Sequence, residues 1–227
     1  MKSVCAVVNA RLDTTGLPRK LVRPFAGTTL LEVALDKLNR MDFFASRYVA
    51  ITDDELKPVV SRFENLGILD WKPAPLQQGR MASKETFAYY LSVPSEYIFV
   101  LEPSFPFLTA KTVQHAVEIF RTTDFPSYIS GVESRDWIFD REGNALTNSD
   151  PRNVTTNVGR LFYKAVDAFR FIQRDFFRRH GCFWSLRQND PHVIPIPEAE
   201  AVQVRNEIEF MYAEFCYTRQ ATTMSAS

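Results

Sequence analysis

Cysteine is scarce: Cys5, Cys182 and Cys216 are the only three in 227 residues, and they form neither a CxxC pair nor an even set. A disulfide framework is therefore not expected, and the chain reads as a reduced protein with three packing thiols. His115, His180 and His192 are equally scattered, so no zinc-ligand spacing is present. Net charge is missing too, because 27 basic residues cancel 27 acidic ones. That argues against a nucleic-acid binder working by overall charge. No apolar run approaches the ~20 residues of a membrane-spanning helix, and the opening MKSVCAVVNAR is charged too early for a signal peptide. The expectation is a cytoplasmic protein that engages neither membrane nor nucleic acid. Neither GxxxxGK(S/T) nor GxGxxG occurs, which excludes the two commonest phosphate-binding glycine motifs.

What is present is core material: 45% hydrophobic residues, with 19 Phe, 8 Tyr and 3 Trp. Val4 to Val8 is a continuous apolar run, the pattern of a strand buried on both faces. Thr29 with Glu32 makes a capping box, opening a helix with Leu31, Ala34, Leu35, Leu38 and Met41 on one face. Residues 48–51 form a second strand. Asp53 or Asp54 caps a helix whose stripe is Leu56, Val59, Val60, Phe63 and Leu66. Strands at 67–71 and 97–101 follow, separated by a helix with Phe87, Tyr90 and Leu91. A further helix carries Val113, Ala116, Val117 and Phe120. This alternation predicts an α/β fold with a doubly wound, mostly parallel, Rossmann-like sheet in one domain over 1–227.

After residue 125 the rhythm changes. Residues 137–139 and 144–146 flank a four-residue turn, predicting a β-hairpin within a small β-arm insertion at 133–160. Leu161 to Tyr163 leads into a helix predicted to run through Phe177. Asn206 and Glu209 make a second capping box, opening a last helix with Ile208, Met211, Tyr212 and Phe215 facing inward.

In open α/β sheets, ligands bind beyond the carboxyl ends of the strands. The segment after the first strand, Asn9-Ala10-Arg11-Leu12-Asp13-Thr14-Thr15-Gly16-Leu17-Pro18-Arg19-Lys20-Leu21-Val22-Arg23, sets four cations against one carboxylate, with two hydroxyls and a glycine. A polyphosphate only accepts hydrogen bonds and is densely anionic, so backbone N–H groups, hydroxyls and fixed cations are what it needs.

AVVNARLDTTGLPRKLVRPFAGTTLLEVALDKL resembles the opening of the sugar-activating cytidylyltransferases, which include the CMP-acylneuraminate (sialic acid) and Kdo synthetases. Their pattern is Ala-Arg, a short Gly/Ser/Thr loop and P-x-K before the first helix. The likeness continues, in order, through YVAITDDELKPVVSRFENLG, KPAPL, FVLEPSFPFLTAKTVQHAVEIF and AVQVRNEIEFMYAEF. It implies transfer of CMP from CTP to the anomeric hydroxyl of a 2-keto sugar acid, nonulosonic or Kdo-like, with release of pyrophosphate. By the same resemblance Arg11 and Lys20 are the catalytic, triphosphate-binding cations, and Ala10, Thr14, Lys72 and Ser83 complete the nucleotide site. Glu102, Asn157, Phe162 and Tyr163 fall on the sugar side. The resemblance also implies Mg2+, CTP and a sugar-acid acceptor, and a homodimer joined through the 133–160 arm.

The departures bear on mechanism. Where the sialate synthetases carry a metal-binding Asp-x-Asp pair, this chain has Gln203 and Arg205; Arg205 cannot ligate a metal. Glu102 replaces an amide at the end of the fourth strand, and it, or Glu207, is the remaining source of a metal-binding carboxylate. Leu108 and Gly79 stand in place of a family arginine and acid. Two expectations follow. Either magnesium is bound largely through the nucleotide phosphates, or the chain is an inactive family member that binds nucleotide or partners an active paralogue.

Overall fold

A computed structural model describes residues 2–12, 16–72, 84–147, 150–152 and 155–225. Its centre is a seven-stranded sheet built from β1 (Val4–Ala10), β2 (Arg47–Ile51), β3 (Gly67–Asp70), β4 (Tyr97–Leu101), β5 (Tyr128–Ser134), β6 (Phe162–Gln173) and β7 (His192–Pro195). The strand order is β3-β2-β1-β4-β6-β5-β7. β6 runs antiparallel to both β4 and β5, while β1 pairs in parallel with β2 and β4, and β5 with β7. The expected mostly parallel α/β sheet is therefore present.

Burial on both faces explains the apolar strands. Val4, Ala6, Val8 and Ala10 of β1 face the larger core, and Cys5 and Val7 face a smaller one. The larger core is closed by α1 (Leu30–Asn39), α3 (Ala110–Thr122) and α5 (Glu207–Ser225). The smaller lies under a 3-10 turn at Ala88–Ser92 and α4 (Arg174–His180), with Tyr90 and Phe177 fully buried in it. α1 starts as expected, the Thr29 hydroxyl accepting from the Glu32 N–H at 3.1 Å.

Several expectations are corrected. The helix after Asp53 contracts to a 3-10 turn at Asp54–Leu56 plus α2 (Lys57–Val60), and no side-chain cap bond forms there. The segment 88–92 is a 3-10 turn, not an α-helix. The helix expected from residue 163 is instead the long strand β6, with α4 beginning only at Arg174. On α5, Ile208, Met211, Tyr212 and Phe215 point outward, while Phe210 and Ala213 pack inward. Both stripes are apolar, so composition did not choose between them; Phe25 does, by stacking edge-on against Phe210 at 5.5 Å. The 139–145 hairpin is present, with a bridge between Phe139 and Ala145 and Asp140 accepting from the Asn144 N–H at 2.8 Å.

Past the end of β4 the sheet is uneven. Leu101 pairs with Phe169, yet β6 begins at Phe162 and stays paired with β5 as far as Ser134. The β5–β6 ribbon thus overhangs the carboxyl edge of β1 and β4.

Candidate active site

The segment after β1 is folded back on itself and pinned by Leu12, Leu17 and Leu21, all buried. The Arg19 N–H donates to Leu12 O at 2.9 Å, closing the turn. Gly16 adopts φ +99, and a Cβ there would stand 2.7 Å from the carbonyl oxygen of Arg205. Only glycine tolerates both the dihedral and the approach. The segment before α5 is therefore pressed against this turn.

The four cations of the segment divide into two roles. Arg19 pairs with Glu55 at 2.6 Å, and Arg23 forms a two-pronged pair with Glu207 at 2.6 and 2.8 Å. These two fasten the turn to its surroundings. Lys20 instead turns inward and donates to Val204 O at 2.9 Å. Burial lowers its pKa, Glu102 and Glu209 work against that shift, and Arg205 adds to it. A lysine held in this way is a partly desolvated positive charge, worth more to an anion than a solvated one. Arg11 follows β1 directly and is half-buried, and Ala10 is fully buried where β1 ends against Ile51 of β2.

Across the turn, Glu102 directly follows β4. Its N–H donates to Ala168 O at 3.0 Å, and its carboxylate accepts from the Ser104 hydroxyl at 3.0 Å. Burial raises its pKa; Arg170 opposes the rise most strongly, Asp167 adds to it, and Lys20 opposes it. Arg170 is only 7% exposed and bonds Asp167 at 2.5 Å. Burial opposes its charge, but Asp167, Tyr90 and Glu102 outweigh that and leave its pKa raised. Beneath lies a neutral hydrogen-bonded layer: Tyr89 donates to Asn9 Oδ1 at 2.6 Å, and Asn9 donates to Tyr90 Oη at 3.1 Å.

The structure brings together Ala10, Arg11, Lys20 and Glu102 at the carboxyl edge. Lys72 lies just past β3 at the sheet margin, exposed and paired with Asp70 at 3.2 Å. Thr14 and Ser83 lie outside the described residues. Asn157 is exposed and lines a polar cleft of about 390 Å³ at the base of the arm, with Arg135, Lys164 and Glu198. Phe162 and Tyr163 pair with Ser134 and Glu133 farther out on the ribbon. Ile129 sits opposite Arg170, and Ser134 opposite Phe162. Those levels are five residues apart along β5, roughly 17 Å at ~3.3 Å per residue. The sugar-side residues therefore do not gather around Glu102. Asp167 and Arg170, which do, were missed by sequence reasoning. Their signal was a lone cation inside the apolar run Ala168-Phe169-Arg170-Phe171-Ile172.

A protein-held magnesium ion does not fit this donor set. Glu102 is hemmed by Lys20 and Arg170, and Asp167 is engaged by Arg170. Arg205 is bound to Glu209 through its guanidinium at 2.6 Å and through its N–H at 2.7 Å. Among the described residues no three His, Cys, Asp or Glu side chains form a metal-ligating group. No helix of the described residues is long and apolar enough to cross a membrane.

Comparison with known proteins gives a consistent picture. No curated protein sequence matches. Among solved structures, a CMP:2-keto-3-deoxy-manno-octonic acid synthetase complexed with CTP superposes with a TM-score of 0.69 at 12% identity, covering 96% of this chain and 99% of the other. The 4-diphosphocytidyl-2C-methyl-D-erythritol synthase of Anaerococcus prevotii DSM 20548 gives 0.65 at 12% identity, over 95% and 96% of the two chains. A cytidylyltransferase of Leptospira borgpetersenii serovar Hardjo-bovis (strain JB197) gives 0.59 at 14% identity, over 96% and 88%. These likenesses concern the fold. The cytidylyltransferase family profile matches residues 5–220, nearly the whole chain, and by that match the protein belongs to the cytidylyltransferase family.

Proposed function

We propose that this cytidylyltransferase joins CTP to the anomeric hydroxyl of a 2-keto sugar acid, nonulosonic or Kdo-like, giving a CMP-sugar and pyrophosphate. The observation that carries the reading is Lys20, a partly buried ammonium beside Val204 O at the carboxyl edge of β1 and β4, with Glu102 facing it. The acceptor oxygen forms a bond to the α-phosphorus of CTP, the bond from that phosphorus to the β-phosphate bridge breaks, and the acceptor proton is released. Lys20 and Arg11 neutralise charge that builds on the phosphate oxygens, so catalysis is positioning plus electrostatics. Ala10 would meet the base with its backbone, with Thr14, Lys72 and Ser83 completing the nucleotide side. Glu102 would face the sugar. Magnesium travels with the nucleotide phosphates, in keeping with its preference for phosphate and retained water. Two copies associate through the arm, where Ile138, Phe139 and Leu146 expose apolar surface.

Arg205, standing where a carboxylate would, favours one rival, a chain that binds CTP without turning it over. Pyrophosphate release with CTP, magnesium, and either Kdo or N-acetylneuraminate, set beside calorimetric CTP binding, separates the two. Release supports the transferase. Binding with no release supports the rival. In the transferase, Lys20→Ala lowers turnover by about 10²–10³-fold while the circular-dichroism spectrum and melting curve stay those of the parent; undiminished turnover would remove Lys20 from the mechanism.

A further inference from the structure

Asp167 and Arg170 are assigned no role by the transferase reading, yet the fold goes to some length to place them. In the antiparallel β4–β6 pairing, Val100 sits opposite Arg170, and two residues on the Glu102 N–H bonds Ala168 O. Glu102 and Arg170 are thus diagonal neighbours on one face of the sheet; the guanidinium attracts the carboxylate by charge, with no hydrogen bond or ion pair joining them. The same face carries Asn9, Tyr89 and Tyr90, and the guanidinium lies 5.1 Å over the Phe183 ring.

The backbone beneath them is irregular. Between the pairs Ile129–Arg170 and Gly131–Ala165, β5 has one residue, Ser130, while β6 has four, 166–169. The buried Ser130 hydroxyl accepts from the N–H groups of Ala168 at 2.7 Å and Phe169 at 3.2 Å, satisfying the donors that this bulge frees. Asp167 at its crest has φ +55, a left-handed conformation unfavourable for a residue other than glycine. That conformation delivers its carboxylate to Arg170. A regular strand would satisfy its own backbone without this arrangement, and a buried ion pair is weak as a stabiliser. Two atoms of the pair, Asp167 Oδ1 and Arg170 Nε, are buried and have no hydrogen-bond partner. Strain and unsatisfied polar atoms collect where function over-determines the structure.

We propose that Arg170, anchored by Asp167 on the β6 bulge, is a positioning residue that fixes the Glu102 carboxylate as the hydrogen-bond acceptor for the acceptor's nucleophilic hydroxyl. The inference rests on the transferase reading and adds to it the device that aims the hydroxyl at the α-phosphorus.

The test uses the full chain with Arg170→Met, Arg170→Lys and Asp167→Asn. Pyrophosphate release is measured with Kdo and with N-acetylneuraminate, CTP affinity by calorimetry, and folding by thermal melting. Arg170→Met lowers kcat/KM for the acceptor by on the order of 10²-fold, the effect of misplacing a reacting group by about an ångström, and leaves CTP affinity within about threefold, since it lies away from the phosphate turn. Arg170→Lys recovers part of the loss. Should Arg170→Met fail to fold, Asp167→Asn, on a half-exposed carboxylate, decides the matter by lowering acceptor turnover at unchanged CTP affinity. Parental acceptor kinetics in the folded variants, or a loss shared equally by CTP affinity, would overturn the inference and leave the transferase intact. Parent protein that binds CTP but releases no pyrophosphate with either sugar would overturn the transferase reading, and this inference with it.

Discussion

Lys20 is useful to a phosphate only while it carries a proton. Burial moves its pKa below the usual 10.5, so the charged form is lost at a lower pH than for a surface lysine. The sign is fixed: activity is full below the depressed pKa, where Lys20 is charged, and falls as pH rises through it. A pH–rate profile of kcat/KM for CTP should show an alkaline limb below 10.5; a flat alkaline side would show that Lys20 does not need its charge. Gly16 is the neighbouring sensitivity. Gly16→Ala must relieve both φ +99 and a 2.7 Å approach to Arg205 O. It should cost at least about 1–2 kcal/mol in urea denaturation and weaken CTP binding in the same variant. Both residues were legible in sequence, since a glycine and a lysine stood in a basic segment after an apolar strand. Arg170 was not, because its importance comes from a diagonal pairing with Glu102 that exists only once β4 and β6 are side by side.

Elements followed the same division. β1, α1, β2, β4 and α3 were readable because each apolar run is either buried on both faces or repeats at helical spacing, whereas the helices expected after Asp53 and around Tyr90 shrank to short turns. β6 was mistaken for a helix because its paired half, residues 169–172, is apolar but for Arg170 and shows no clean alternation, and the bulge breaks the period of two before it. The bulge can be tested alone. Ser130→Ala leaves the Ala168 and Phe169 N–H groups without their shared acceptor, at a cost of about 1–3 kcal/mol readable as a lower melting temperature; an unchanged melting point would mean another acceptor takes over. On α5 the outward stripe reverses the expected consequence of a core substitution. Met211 is 62% exposed, so Met211→Lys should shift stability by no more than about 0.5 kcal/mol. A loss of several kcal/mol in the same denaturation experiment would put that face indoors.

At the scale of the molecule, the arm is the test of assembly. Phe139 is 56% exposed near the hairpin tip. If two copies meet there, sedimentation should find a dimer in the parent chain and a monomer after Phe139→Glu, with melting behaviour unchanged; a parent chain that sediments as a monomer rules the arm out as an interface. The mostly parallel sheet was foreseeable because strands and helices alternate through the first half, whereas the overhanging ribbon was not, since nothing in the pattern of β6 says how far it outruns β4. Lys20 and Val204 touch although 184 positions separate them, and so do Arg23 and Glu207. Closing so long a loop is slow and comes after local structure has formed. While the polypeptide is being synthesised, the phosphate turn therefore waits for the C-terminal segment to leave the ribosome, and a growing chain still short of that segment should be unable to retain CTP however much of its sheet has already condensed.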